Sequence, residues 1–294
     1  LTVSKIKHVS GVYTIEYADA KKNIVGYIEA SLYKDESVIY SFTAHYNNSA
    51  PTLRPELMDN WFNRYGSGAT PQEISKLKSI MKNARPWMRI KTDDKVVHSG
   101  LDAILSEKGY KGQVQIFRES RVKVGGGMVN PAARQAFEIG VFNIAEKGSD
   151  LSRFPKYGYW SDAETGMVKG NYGPNQYGSI RIKFKNELRN RATATINDSL
   201  DSDVTKTAIL TKRATTSNLP FHPDNPHKAL DLSGIHDKHT TYDLASQYVE
   251  AQYYGTVNYR DIEAVYVDGN TYQKITNQQL RRLQELNIPI YIDK

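Results

Sequence analysis

The chain has no cysteine among its 294 residues, which excludes disulfides and thiolate catalysis and is compatible with export, since no thiol needs protecting. No apolar run approaches the ~20 residues that a membrane-spanning helix needs, so membrane insertion is not expected, and no signal peptide opens the chain. The sequence starts at Leu1, which fits a fragment or a processed product and leaves room for a removed leader. Lys and Arg number 39 against 32 Asp and Glu, a net charge of +7 that allows an anionic partner. They are spread without a polybasic run, so a dedicated nucleic-acid stripe is not indicated. There is no P-loop, no GxGxxG opening a helix, no HExxH, no GxSxG and no internal repeat.

What is present suffices for a core: 39% hydrophobic residues, with 20 tyrosines. Alternating apolar residues predict strands at Val12–Tyr17, Val25–Tyr33 and Val38–Thr43, a small antiparallel meander. A short helix around Pro55–Tyr65 and a hinge at Gly66-Ser67-Gly68 follow. The chain divides there into a β-rich N-terminal segment, residues 1–68, of unassigned role, and a second domain, residues 69–294. Thr70-Pro71-Gln72-Glu73 is a capping box with proline at the first helical position, and Ile74, Leu77, Ile80 and Met81 continue an apolar stripe.

Further helices are expected at about 93–107, from Pro131 through Phe142, and at 277–286. Strands are expected at 87–91, 154–160, 179–184, 191–196, 246–255, 262–267 and 288–292. Gly112–Gly127 is polar and basic, with a mobile loop at Gly125–Gly127, and 211–240 is a proline-containing loop. Helices come early and strands late, which reads as α+β.

In the stretch Ser246–Gly255, a period of two puts Tyr248, Glu250, Gln252 and Tyr254 on one strand face. A carboxylate between Tyr and Gln suits the floor of a polar cleft; the alternative is a solvated outer face. His222, His227, His236 and His239 cluster in a loop but lack cysteine or paired-carboxylate spacing, so no metal is expected. Asn197-Asp198-Ser199 reads as a turn.

Five segments in order resemble an ADP-ribosyltransferase domain of the type found in bacterial toxins and fused to phage minor head proteins. They are Gly109–Gln113, Pro155–Tyr159, Tyr177–Ile182, Arg189–Leu200 and Tyr248–Gly255, and the resemblance covers about residues 86–294. It implies a mixed, split β-sandwich clamping NAD as substrate, with no metal. It also implies an Arg on the first strand, a Ser or Tyr on a middle strand and a Glu on a later one.

On this chain the implied catalytic set is Glu250, Arg89 and Tyr157. Arg89, Tyr157, Tyr159, Ser199, Gln252 and His98 are implied contacts to NAD. His98 is the rival to Arg89 as first residue, although its place on the flank of the 93–107 helix suits a structural role. The resemblance implies transfer of ADP-ribose to a macromolecular acceptor, protein or nucleic acid, by a secreted or delivered toxin or effector, or by a phage-particle protein. An immunity protein is a further partner of such toxins. Arginine-modifying members carry Glu or Gln two residues before the catalytic Glu, where this chain has Tyr248. The alternatives are an NAD glycohydrolase and an inactive head-associated structural module.

Overall fold

β-Branched and aromatic residues on a period of two build both sheets of this protein. The computed structural model describes residues 2–9, 12–18, 24–32, 38–44, 68–91, 100–120, 138, 151–168, 177–196, 198–199, 220–226 and 248–293; up to residue 44 the backbone alone is described. Strands β1 (Thr2–Val9), β2 (Val12–Ala18), β3 (Ile24–Leu32) and β4 (Val38–Ala44) pair in sequence order as an antiparallel meander. The last three lie where alternation predicts them. β1 is an addition, since Lys5, Lys7 and His8 dilute its apolar signal.

Helix α1 (Pro71–Asn83) begins as its sequence dictates. The Thr70 hydroxyl accepts from the Glu73 amide, and the Glu73 carboxylate accepts from the Thr70 amide at 2.7 Å. Its Leu77 and Met81 are buried. Then come β5 (Arg85–Ile90), α2 (Leu101–Ile104), α3 (Gln113–Ser120), β6 (Lys156–Ser161), β7 (Ile180–Phe184) and β8 (Ala192–Ile196). The order closes with β9 (Val249–Tyr253), β10 (Ile262–Val267), α4 (Gly269–Tyr272), α5 (Asn277–Glu285) and β11 (Ile290–Ile292). α3 arises in a stretch whose polarity hides it; only Val114 and Ile116 are buried hydrophobics there. The expected helices at 55–65, over the first half of 93–107 and, but for Glu138, at 131–142 lie outside the described residues.

β5 to β11 form one mixed sheet in the order β11-β10-β7-β5-β6-β9-β8, so the fold is α+β. Helices are not confined to the early chain, however. β10 and β11 run parallel, and parallel neighbours need a crossover connection, which α4 and α5 supply. One sheet face packs the core through Met88, Ile90, Trp160, Ile182, Phe184, Val249 and Val265, against Leu77 and Met81 of α1 and Leu283 of α5. Lys156 lies in this buried layer, and its ammonium donates to the carbonyls of Ser152 (2.6 Å), Phe154 (3.0 Å) and Gly255 (2.9 Å).

The ladder forks between β5 and β6. Arg85–Trp87 pair with Tyr159–Ser161, and there the pairing stops. Beyond that point Met88–Ile90 pair with β7, whereas Lys156–Gly158 pair with β9. The Tyr253 hydroxyl sits at the fork, donating to the Trp87 carbonyl at 2.8 Å with the Tyr159 carbonyl at 3.4 Å. Gly158 is needed beside it, because a Cβ there would lie 2.2 Å from the Trp87 oxygen and 2.6 Å from Tyr253 Cε2.

Candidate active site

Alternation fixes which side chains share the face opposite the core. Residues directly paired across strands lie on one face, and the register pairs Trp87 with Tyr159, Tyr159 with Glu250, and Glu250 with Thr195. One step along, Tyr157 pairs with Gln252 and Gln252 with Thr193, while Arg89 pairs with Arg181 of β7. Arg89 and Tyr157 would be next in register between β5 and β6 had the pairing continued. They stand instead on opposite lips of the fork.

Glu250 is 3% exposed. Its Oε1 accepts from Ser199 Oγ at 2.5 Å and from Gln252 Nε2 at 2.7 Å, and its Oε2 accepts from the Tyr248 hydroxyl at 3.4 Å. Gln252 must turn its amide nitrogen to Glu250, because an ionised carboxylate can only accept. That nitrogen also donates to Thr195 Oγ1 at 3.0 Å, and the amide oxygen accepts from Thr193 Oγ1 at 2.7 Å. Thr193 Oγ1 lies 2.9 Å from the Tyr254 hydroxyl. The carboxylate is therefore held by side chains that are themselves held. Burial, then the Glu250 charge, raises the Tyr248 phenol well above 10; burial does the same for Tyr254, with Thr193 opposing and the charges of Glu138 and Glu250 adding.

On the other lip, Arg89 donates through Nη1 to the Gly178 carbonyl at 3.1 Å and through Nη2 to Met167 Sδ at 3.8 Å. Tyr159 donates to the Gly166 carbonyl at 2.8 Å, and its ring stacks on Trp87 at 6.5 Å. Burial pushes its phenol up to about 12, with the neighbouring Arg89 charge opposing. Trp87 also meets Tyr266 at 5.4 Å, and Tyr266 meets Tyr291 at 4.9 Å, so aromatic rings run from the fork to the sheet edge.

Arg89, Tyr157, Tyr159, Glu250 and Gln252 thus share one face, and Ser199 reaches it by bonding Glu250. Tyr159 is 1% exposed and its ring belongs to the Trp87 cluster, whereas Tyr157 is half-buried and donates to Glu138 Oε1 at 3.0 Å. His98, Gly125–Gly127, His227, His236 and His239 lie outside the described residues. His222 accepts from the Asp224 amide at 3.2 Å, and burial lowers its pKa, with Asp224 opposing. Among the described residues no group of three or more His, Asp or Glu is placed to hold a metal, and no helix is long and apolar enough to cross a membrane.

Sequence reasoning missed Glu138, which is fully buried, and the threonine pair Thr193 and Thr195. A lone carboxylate between Phe137 and Ile139 was a legible signal for the first, and the period-two spacing of the threonines was one for the second. It also passed over Trp87 and Arg181 on the same face.

No protein-family model matches the chain, and no curated protein matches it either.

Proposed function

We propose that this protein is a mono-ADP-ribosyltransferase that cleaves NAD and passes ADP-ribose to a macromolecular acceptor, in the manner of a delivered toxin or effector. The observation that carries the reading is the buried, triply hydrogen-bonded Glu250 on the same sheet face as Arg89, with the sheet forked between their strands. A forked sheet suits the extended cleft of the split-sheet architecture that the sequence resembles.

Each side chain has work to do in this chemistry. When the bond between nicotinamide and ribose breaks, nicotinamide leaves with the electron pair and the ribose acquires oxocarbenium character, as in glycoside hydrolysis. Glu250 stabilises that charge, and its fixed hydrogen bonds mean that no reorganisation is required as the charge develops. Arg89 offers a guanidinium to a phosphate or a ribose hydroxyl. In this reading Tyr157, half-buried on the opposite lip, takes the departing ring. The acceptor nucleophile then forms the new bond to the ribose carbon and loses its proton. Tyr248 stands where arginine-modifying enzymes carry Glu or Gln, and its hydroxyl already serves Glu250, so the acceptor is one other than arginine.

That same Tyr248 favours one second reading, an NAD glycohydrolase in which water is the acceptor. Incubation with NAD labelled in the adenylate, with and without bacterial or host lysate, tests both beside the Glu250→Ala variant. Label on a macromolecule with the wild type alone supports the transferase. Nicotinamide release without macromolecular label supports the glycohydrolase. Failure of both proteins to bind or turn over NAD refutes the enzyme and leaves a structural module.

A further inference from the structure

Among the described residues, three buried N–H donors have no hydrogen-bond partner: Trp87 Nε1, Arg89 Nε and Arg181 Nη1. Leaving such groups dry and unpaired is costly, most of all for charged ones, so their coincidence calls for an explanation. They are also neighbours. Arg181 pairs directly with Arg89 across β5 and β7, and Trp87 lies two residues before Arg89 on the same face. Strand geometry puts the three Cα atoms within roughly 8 Å of one another, Trp87 and Arg181 being the diagonal pair. Trp87 and Arg181 are 0% and 2% exposed, so both open donors lie within the fold and not on its outer surface.

The surroundings say what is wanted. Every free atom is a donor, which excludes a cation and selects an acceptor-only group. Arg181 already gives Nη2 to Asp293, whose carboxylate answers one charge, and its guanidinium lies 5.9 Å over the Tyr266 ring. Arg89 has a carbonyl and a thioether on its Nη atoms and the neutral Tyr159 hydroxyl beside it, and among the described residues no carboxylate is paired with it. One positive charge is thus left over beside three open donors, which suits a phosphoryl oxyanion with its several acceptor oxygens.

We infer that Trp87, Arg89 and Arg181 form a binding site for a phosphoryl group on the β5–β7 side of the fork. The inference rests on these donors and not on the NAD reading. Arg181 and Trp87 are its new members, and their role is ligand binding, not bond cleavage.

Inorganic pyrophosphate titrated into the full chain tests the site, read by calorimetry and by tryptophan fluorescence. Saturable one-to-one binding is expected, weakened at least tenfold by Arg181→Gln and by Arg89→Gln, with the fluorescence change lost in Trp87→Phe. Lys78→Gln, on the exposed face of α1, should bind like the wild type. Should Arg181→Gln fail to fold, Arg89→Gln, at a half-buried position, carries the same test. No saturable binding to the wild type, or binding that neither arginine variant weakens, would overturn the inference. Glu250→Gln should keep pyrophosphate binding while losing any NAD turnover, so the two proposals fail separately. Displacement of pyrophosphate by ADP-ribose identifies a nucleotide as the source of the phosphoryl group, and its absence identifies a free phosphoryl anion.

Discussion

Raising the pH should unfasten the fork through Tyr159. Burial lifts this phenol from 10 to about 12, with Arg89 opposing, so the fold holds the neutral form. As pH climbs past 10, the unfolded chain gives up its proton first, the unfolded state binds fewer protons, and stability falls until pH passes about 12. Two units correspond to about 2.7 kcal/mol in full, of which about 1.4 kcal/mol is lost by pH 11. Denaturant unfolding of the wild type and Tyr159→Phe at pH 8, 10 and 11 measures it. The variant lacks the bond to the Gly166 carbonyl and should start about 1 kcal/mol less stable at pH 8. That deficit should vanish and slightly reverse by pH 11. Tyr248, Tyr253 and Tyr254 are also raised by burial, so both proteins weaken in base and only the difference between them reports Tyr159. A gap that stays constant from pH 8 to 11 would refute the reasoning.

Gly158→Ala should lower stability by about 2–3 kcal/mol, because the new Cβ meets a carbonyl and a packed ring rather than a flexible side-chain end; an unchanged melting temperature would show that the strands separate freely there. Lys156→Met should cost about 2–4 kcal/mol in denaturant titration, since three carbonyls lose their donor at once. Glu250→Gln keeps an acceptor for Ser199 and Gln252 and should stay within about 1 kcal/mol of wild type, whereas Glu250→Ala strands both donors and should cost about 2–3 kcal/mol. Both Glu250 variants should slow nicotinamide release at least ~100-fold, measured by chromatography of the reaction.

Local rules made some of this visible in the chain. The capping box of α1 and the full extent of β10 could be read directly, because their signals lie within a few consecutive residues. The shared face of Glu250 and Gln252 follows from the strand period alone. What sets Glu250 in place does not: Ser199 lies in a turn fifty-odd residues away in sequence, and Thr195 reaches it by cross-strand register, which one strand's pattern cannot specify. The parallel β10–β11 pair was hidden because β11 is three residues long and α4 is a single turn. Arg181 looks like any exposed strand charge until its partner across the ladder proves to be Arg89.

The fork leaves the sheet joined by three register pairs, Arg85–Ser161, Pro86–Trp160 and Trp87–Tyr159, with proline giving no amide to the middle one. On either side stand β11-β10-β7-β5 and β6-β9-β8, each with a complete ladder of its own. Such a seam divides the sheet into two cooperative blocks, whose amides should exchange with solvent at separate rates and whose loss of structure need not coincide. At the root of that seam a single phenol, the hydroxyl of Tyr253, bridges carbonyls of both blocks, Trp87 on one and Tyr159 on the other.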